Sequence, residues 1–266
     1  MDNQTNPDYL LVETGREVER LRNQHVWFQI CLDGKIIFAP VDLSTPELKV
    51  LDVGCADGIL LCDLRKDLSP SAQLVGLDVM STFLPPFPEG NIRYVTGDIC
   101  EPLEKDLSGA FDLTHIRFVL PGCGRAGVDQ AISNLAGLFH LISPRTVESS
   151  AFNDFMTVVG ALFDKGGVGA DFTAKLVESF KKAGLENITF QHVNLPAGRH
   201  LENETDTKFS MNSLTVTIPT FAGAAKAMGA EVPSSVLENL EERFEKEMME
   251  RGATFMSVVV CGQKPL

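Results

Sequence analysis

The sequence predicts an α/β fold in which helices cover both faces of a mostly parallel, doubly wound sheet. From residue 49 onward, short apolar segments alternate with segments of helical period. Strand, helix and strand in repetition is typical of such a sheet, because the chain has to cross back over the sheet between parallel strands. The predicted strands are 49–54, 73–79, 91–97 and 111–119, and the predicted helices are 58–68, 126–141 and 171–183.

An N-terminal segment is predicted to form a helical lid. Apolar or weakly polar positions recur every three or four residues within 15–28, at Val18, Leu21, His25 and Phe28, which is one face of an amphipathic helix. We expect residues 1–45 to form this lid and residues 46–266 to form the ligand-binding domain. A small helical insertion at about 197–232 is expected to cap the site.

The C-terminal part departs from the regular alternation. Residues 169–196 predict a helix that stops at Gly184 and is followed by a strand. Residues 233–252 predict one long helix, because an apolar stripe runs opposite a row of glutamates. The β-branched run at 253–264 predicts a last strand.

Composition excludes several classes of protein. A chain of 266 residues with a net charge of −13 carries the wrong sign for nucleic acid or an anionic membrane as a partner. Its six cysteines form no C-x-x-C pair and no Cys/His cluster, which argues against a structural metal site. A polar N-terminus and the lack of a long apolar run predict a cytoplasmic protein. The oligomeric state stays open.

The stretch KVLDVGCADGILLCDL at 49–64 contains the first ligand signal. Asp52 stands just before Gly54, and Asp57 stands just before Gly58. A dinucleotide site has the pattern G-x-G-x-x-G, which allows the backbone to approach a pyrophosphate. That pattern is missing, and two carboxylates would repel a pyrophosphate. They suit a ligand with an ammonium group and a second positive centre.

Two more acids end the following strands. Asp78, with Val79 after it, ends the second predicted strand, where a carboxylate can accept hydrogen bonds from both ribose hydroxyls. Asp98 ends the third, beside Ile99, and can accept from an adenine amino group. Each aspartate alone is also a common turn or capping residue. The three acids and the glycine loop together predict an S-adenosylmethionine site.

The motifs also carry a family resemblance. VLDVGCADG, GLDV, VTGDI and FDLTHIR resemble the motif series of class I S-adenosylmethionine-dependent methyltransferases. The most similar subgroup is the fungal secondary-metabolism methyltransferases of the gliotoxin-pathway N-methyltransferase type. Tyr9, the pattern E-x-x-R-L-x-x-Q-H at 17–25 and the closing VVVCGQKPL are similar to that group's lid and last strand.

The resemblance implies a Rossmann-like sheet of seven strands with the last one antiparallel. It assigns cofactor contacts to Tyr9, Asp52, Gly54, Gly58, Asp78, Val79, Asp98, Ile99 and Arg117, with S-adenosylhomocysteine as the product. One segment departs from the family pattern. Residues 141–152 lack the usual glycine pair, and Glu148 follows Pro144 too closely, which predicts a fifth strand that is shortened or shifted in register.

The predicted function is methyl transfer to an oxygen or nitrogen atom of a small natural product. His115 is the candidate base, although a buried histidine bonded to backbone is an alternative. His25 is a candidate for contact with substrate or with the cofactor carboxylate, or it packs beneath the lid. Four apolar residues are expected either to line a substrate pocket or to pack in the core: Phe152, Phe155, Met156 and Phe163.

Two other functions remain as alternatives. A methyltransferase-like cyclase would hold S-adenosylmethionine and use the sulfonium charge without transferring the methyl group. The shortened fifth strand is the reason to keep this alternative. A non-enzymatic regulator would use the same fold to bind a partner.

Overall fold

The computed structural model describes residues 14–88, 90–135 and 150–265. Its strands are β1 (Lys49–Val53), β2 (Gln73–Asp78), β3 (Ile92–Thr96), β4 (Leu113–Ile116), β5 (Glu186–Ala197) and β6 (Ala253–Gln263). Its helices are α1 (Thr14–Cys31), α2 (Ile59–Leu64), α3 (Val128–Leu135), α4 (Ser150–Lys165), α5 (Phe172–Lys182), α6 (Glu204–Leu214), α7 (Thr217–Ala227), α8 (Ser234–Leu237) and α9 (Leu240–Glu250).

The first four strands form a parallel sheet in the order β3-β2-β1-β4. Val53 is level with Leu77 on one side and with Ile116 on the other, so the carboxyl ends of three neighbouring strands lie at one edge. In an open sheet of this kind, that edge is where ligands bind. The predicted parallel α/β core is therefore confirmed.

The remaining strands of the described chain form a second, antiparallel ladder of β5 and β6. A seven-stranded sheet stays a prediction. Most of the expected fifth strand, residues 141–149, lies outside the described residues, and α4 begins at Ser150. The helix predicted over 126–141 is described as far as Leu135.

The prediction of one continuous helix over 233–252 was wrong. The segment forms α8 and α9, separated by Glu238 and Asn239. Asn239 has a left-handed backbone with φ of 48°, a conformation that asparagine adopts more readily than most residues. Arg243 donates hydrogen bonds to the carbonyls of Glu238 and Val236, which are released from helical pairing at this break.

Helix α1 is tied to the rest of the fold by specific contacts. The indole N–H of Trp27 donates to the Pro196 carbonyl at 2.7 Å, which links α1 to β5. Helix α6 packs beside α1, and α7 follows α6. A buried aromatic cluster of Trp27, Phe152, Phe244 and Phe255 supports this side of the molecule. None of the described helices has the length and apolarity needed to cross a bilayer.

Candidate active site

The loop after β1 depends on its two glycines. Gly54 has φ of 70° and Gly58 has φ of 77°, which is the left-handed region that favours glycine. A Cβ at position 54 would overlap the Val119 side chain, and one at position 58 would overlap the Tyr94 ring. The amide of Gly54 donates to the Leu77 carbonyl at 2.7 Å. This pairing holds the loop against the end of β2.

Asp78 lies at the end of β2 with only 6 % of its surface exposed. One carboxylate oxygen accepts from the Ala56 amide at 2.9 Å, and the other accepts from the Met80 amide at 2.8 Å. Burial raises the pKa of the Asp78 carboxyl, and the nearby Asp52 charge adds to that shift. A carboxylate has about four acceptor positions in all, so the group can still accept from a ligand.

Asp98 lies beyond the end of β3 and is partly exposed. Its Oδ1 accepts from the Cys100 amide at 2.8 Å, and its Oδ2 pairs with the Arg125 guanidinium. Arg125 was missed by the sequence interpretation. It lies in a loop, and neither periodicity nor a motif marks it.

Asp52 and His115 form a buried pair across neighbouring strands. They occupy paired positions on β1 and β4, and Asp52 Oδ1 lies 2.7 Å from His115 Nδ1. Both side chains are almost fully buried. An Nδ1–H that donates to Asp52 fixes the ring orientation and leaves Nε2 as the basic nitrogen. Asp57 pairs with Arg22, which connects the glycine loop to α1.

His25 lies between two charged side chains. Its Nε2 is 2.9 Å from Asp63 Oδ2, and its Nδ1 is 3.2 Å from Arg117 Nη2. Because a guanidinium can only donate, Nδ1 accepts and Nε2–H donates to Asp63. Burial, with the adjacent Arg117 charge, lowers the pKa of His25 to about 4, so the ring is neutral near pH 7.

Three cavities meet at the carboxyl edge of the sheet. We call the largest, of about 290 Å³, the large chamber. The Asp98 cavity, of about 100 Å³, is lined by Asp78, Val79, Asp98 and Ile99, among others. The Asp57 cavity, of about 40 Å³, is lined by Asp52, Asp57, His115 and Arg117, among others. Gly54 lines all three cavities, and Asp78 lines both the large chamber and the Asp98 cavity.

The large chamber is mainly aromatic and aliphatic. Its apolar lining includes Trp27, Phe28, Phe118, Phe155, Met156, Phe163, Phe172, Phe221 and Phe255. Phe155, Met156 and Phe163 were sequence candidates for a substrate pocket, whereas Phe152 is fully buried in the aromatic cluster. His115 lines the Asp57 cavity and is not among the residues lining the large chamber.

The polar wall of the large chamber comes from α1 and, within the segment predicted as a cap, from α6 and α7. On α1, Arg20 pairs with both carboxylate oxygens of Glu17, at 2.7 and 2.8 Å, and both side chains are buried. Gln24 lines both the large chamber and the Asp57 cavity. On the cap side, Ser213 and Thr217 line the large chamber. Among the sequence candidates for cofactor contact, Tyr9 lies outside the described residues.

Comparisons with known proteins give relatives from fungi. The chain is 29 % identical over 261 residues to the methyltransferase psoC of Aspergillus fumigatus, covering 93 % of this chain and 94 % of that protein. It is 29 % identical over 274 residues to the N-methyltransferase sirN of Leptosphaeria maculans, covering 97 % of this chain and 95 % of that protein. The resemblance predicted from the motifs is confirmed.

The fold has a counterpart among solved structures. A cyclopropane-fatty-acyl-phospholipid synthase-like protein from Lactobacillus casei matches with a TM-score of 0.52 and 14 % identity, covering 94 % of each chain. At this identity the likeness concerns the fold alone, and it agrees with the predicted Rossmann-like architecture. No family model matches the chain.

Proposed function

Since the chain is homologous over almost its whole length to fungal methyltransferases, we propose that it transfers the methyl group of S-adenosylmethionine to an oxygen or nitrogen of a small natural product. One observation carries the proposal. Gly54 and Asp78 line both the smaller Asp98 cavity, of about 100 Å³, and the large apolar chamber. A cofactor and a substrate could therefore meet at this edge of the sheet.

The residues around the smaller cavities fit the cofactor. Asp78 is buried yet faces two cavities, and its remaining acceptor positions suit the two ribose hydroxyls. Asp98 and Ile99 would hold the adenine, and Asp52 and Asp57 would face the cationic amino-acid end. When bound, S-adenosylmethionine supplies a methyl group on a positively charged sulfur. The protein's part is to align the two reactants and to exclude water.

The large chamber supports an apolar substrate with at least one hydrogen-bond donor. Its aromatic walls exclude water from the reacting atoms. The hydroxyl of Ser213 donates to the Ser210 carbonyl at 2.7 Å, and that of Thr217 donates to the Leu214 carbonyl at 2.6 Å. Each hydroxyl oxygen can then only accept, so each suits an O–H or N–H group of the substrate.

The geometry favours a positioning role for His115 and His25. His115 is bonded to Asp52 and lines the Asp57 cavity, where it would hold that carboxylate toward the cofactor. His25 uses both ring nitrogens for protein partners. A substrate O–H or N–H in the large chamber would lose its proton to another acceptor or to water. The cyclase alternative was based on residues 141–152, most of which lie outside the described residues, and no described feature favours it.

The test is transfer of a labelled methyl group. Purified protein is incubated with methyl-labelled S-adenosylmethionine and an extract of the organism that encodes it, and products are separated by mass spectrometry. We expect a labelled small molecule together with S-adenosylhomocysteine. The matched control is Asp78→Ala, which should stay folded and give no labelled product. An unlabelled isomer formed with the cofactor unspent would contradict methyl transfer and support cyclisation.

A further inference from the structure

Arg117 is a charged side chain that the fold places between two of the cavities. It follows directly after β4 and lines both the large chamber and the Asp57 cavity. Its guanidinium carbon lies 5.2 Å from the centre of the Phe28 ring, at a distance typical of a cation–π contact. Burial lowers the pKa of Arg117 to about 10, so the group keeps its charge near pH 7.

The orientation of Arg117 is fixed by a chain of hydrogen bonds. Arg117 donates to His25 Nδ1 at 3.2 Å, and His25 donates in turn to Asp63 at 2.9 Å. Gln29 donates to the same oxygen of Asp63 at 2.9 Å, and Lys66 pairs with the other oxygen. Asp63 is therefore held on α2, and it orients the His25 ring on α1 toward Arg117.

Among the described residues, Arg117 has no direct anionic partner of the kind that the other arginine of the large chamber has. Arg20 is paired by both oxygens of Glu17. Within residues 14–88, 90–135 and 150–265, no carboxylate lies within ion-pair distance of Arg117, although the Asp52 charge attracts it at longer range. A guanidinium that is half-buried and directed by neutral partners is suited to bind an anion supplied by a ligand.

The Asp57 cavity combines charges of both signs. Asp52, bonded to His115, and Asp57, paired with Arg22, provide two carboxylates, and Arg117 provides a guanidinium. An α-amino acid group carries one ammonium and one carboxylate, and it therefore complements such a lining. The sulfonium of the cofactor is itself a cation and would repel a guanidinium. The interaction energy is therefore favourable only where the guanidinium lies beside the cofactor carboxylate.

We propose that Arg117 binds the carboxylate of the cofactor's amino-acid group, and that His25, held by Asp63, is the positioning residue for Arg117. The inference rests on the proposed function for the identity of the cofactor. It assigns His25 to orientation of Arg117 instead of direct contact with substrate or with the cofactor carboxylate, and it explains why a neutral histidine lies between an arginine and an aspartate.

Calorimetry with two ligands tests the assignment without any substrate. S-adenosylhomocysteine carries the amino-acid group, whereas methylthioadenosine has the same adenine, ribose and thioether and lacks it. We expect Arg117→Met to weaken S-adenosylhomocysteine at least about tenfold, the loss typical of a charged hydrogen bond, and to change methylthioadenosine less than about twofold. Arg125→Met, beside Asp98, should affect both ligands alike.

The His25 variants separate positioning from packing. His25→Ala should weaken S-adenosylhomocysteine selectively, by about threefold to tenfold. His25→Asn, whose amide oxygen can still accept from Arg117, should recover most of that loss. Arg117→Lys keeps the charge and should lie between the wild type and Arg117→Met. Thermal melting of each variant establishes that the protein is folded.

Two results would overturn the inference. Equal losses for both ligands in Arg117→Met and Arg117→Lys would mean that Arg117 supports the whole site and does not bind the carboxylate. Unchanged affinity for S-adenosylhomocysteine would mean that Arg117 faces the substrate. Failure of the proposed function looks different, because wild-type protein would then bind neither ligand, or would bind both and label no product.

Discussion

Gly54→Ala is the most informative single change at the edge of the sheet, because two separate losses in the free energy of unfolding can be worked out for it. The backbone at Gly54 has φ of 70°, and alanine in this region costs about 1–2 kcal/mol. The new Cβ would also lie closer than 3.0 Å to the Val119 side chain. Forcing a methyl group into occupied space costs a further ~1–3 kcal/mol. We expect a total loss of about 2–5 kcal/mol.

A second substitution separates the two costs. Val119→Ala removes the overlapping methyl group and leaves the Val119 Cβ 3.6 Å from the new atom, which is an ordinary contact. Because Val119 is half-buried, this change alone should cost about 1 kcal/mol. In the Val119→Ala background, Gly54→Ala should then cost only the backbone term of about 1–2 kcal/mol.

Urea unfolding of the four proteins in this cycle measures the coupling. The double variant should be more stable than additivity predicts by about 1–3 kcal/mol. Gly34→Ala is the matched control, since Gly34 has φ of 74° and no atom within 4 Å of its Cβ position. Gly34→Ala should lose only the unfolding free energy that comes from placing alanine in a left-handed backbone. Strict additivity, or equal losses for Gly34→Ala and Gly54→Ala, would refute the reasoning.

Two further predictions concern the buried acids. Because burial raises the pKa of Asp78, S-adenosylhomocysteine affinity should start to fall at a higher pH than for an ordinary carboxylate of pKa about 3.9. Protonation turns an acceptor oxygen of Asp78 into a donor. Calorimetry from about pH 8 down to about pH 5 should therefore show that S-adenosylhomocysteine binds more weakly toward the acid side. An affinity that rises toward the acid side would contradict an accepting role for Asp78. His115→Ala should cost about 1–3 kcal/mol in urea unfolding, because it leaves the Asp52 carboxylate buried without that partner. An unchanged unfolding midpoint would show that the pair does not support the fold.

The parallel core could be predicted because its signals are local. A buried strand reads as an apolar run, and the acid at its end marks the point where the chain leaves the sheet. Parallel strands bring such ends to one edge, which is why Asp52, Asp78 and Asp98 could be placed together from sequence. The break at Asn239 is different. The apolar stripe continues through it, so periodicity alone indicates one helix where the structure has two.

Side-chain pairing across the fold could not be predicted. Asp52 meets His115, and Asp63 meets His25, at sequence separations of 63 and 38 residues. Nothing in either segment specifies its partner, because the pairing depends on strand order and on where α1 lies. The same is true of Arg125 beside Asp98. Residue type predicted which edge of the sheet carries the site, and only the tertiary structure shows which charges are already neutralised.

Helix α1 shows how a buried ion pair departs from simple amphipathic periodicity. The spacing selects Val18 and Leu21 for the buried face, yet both are half-buried, whereas Glu17 and Arg20 are 3 % and 8 % exposed. Burying charges is costly unless they are paired, and this pair supplies its own partners. A helix that covered only a core would gain more from apolar residues there. Arg20 lines the large chamber and also donates to the Ser213 carbonyl at 3.4 Å, so the buried pair links α1 to α6, and the bond from Trp27 to the Pro196 carbonyl holds the helix against β5.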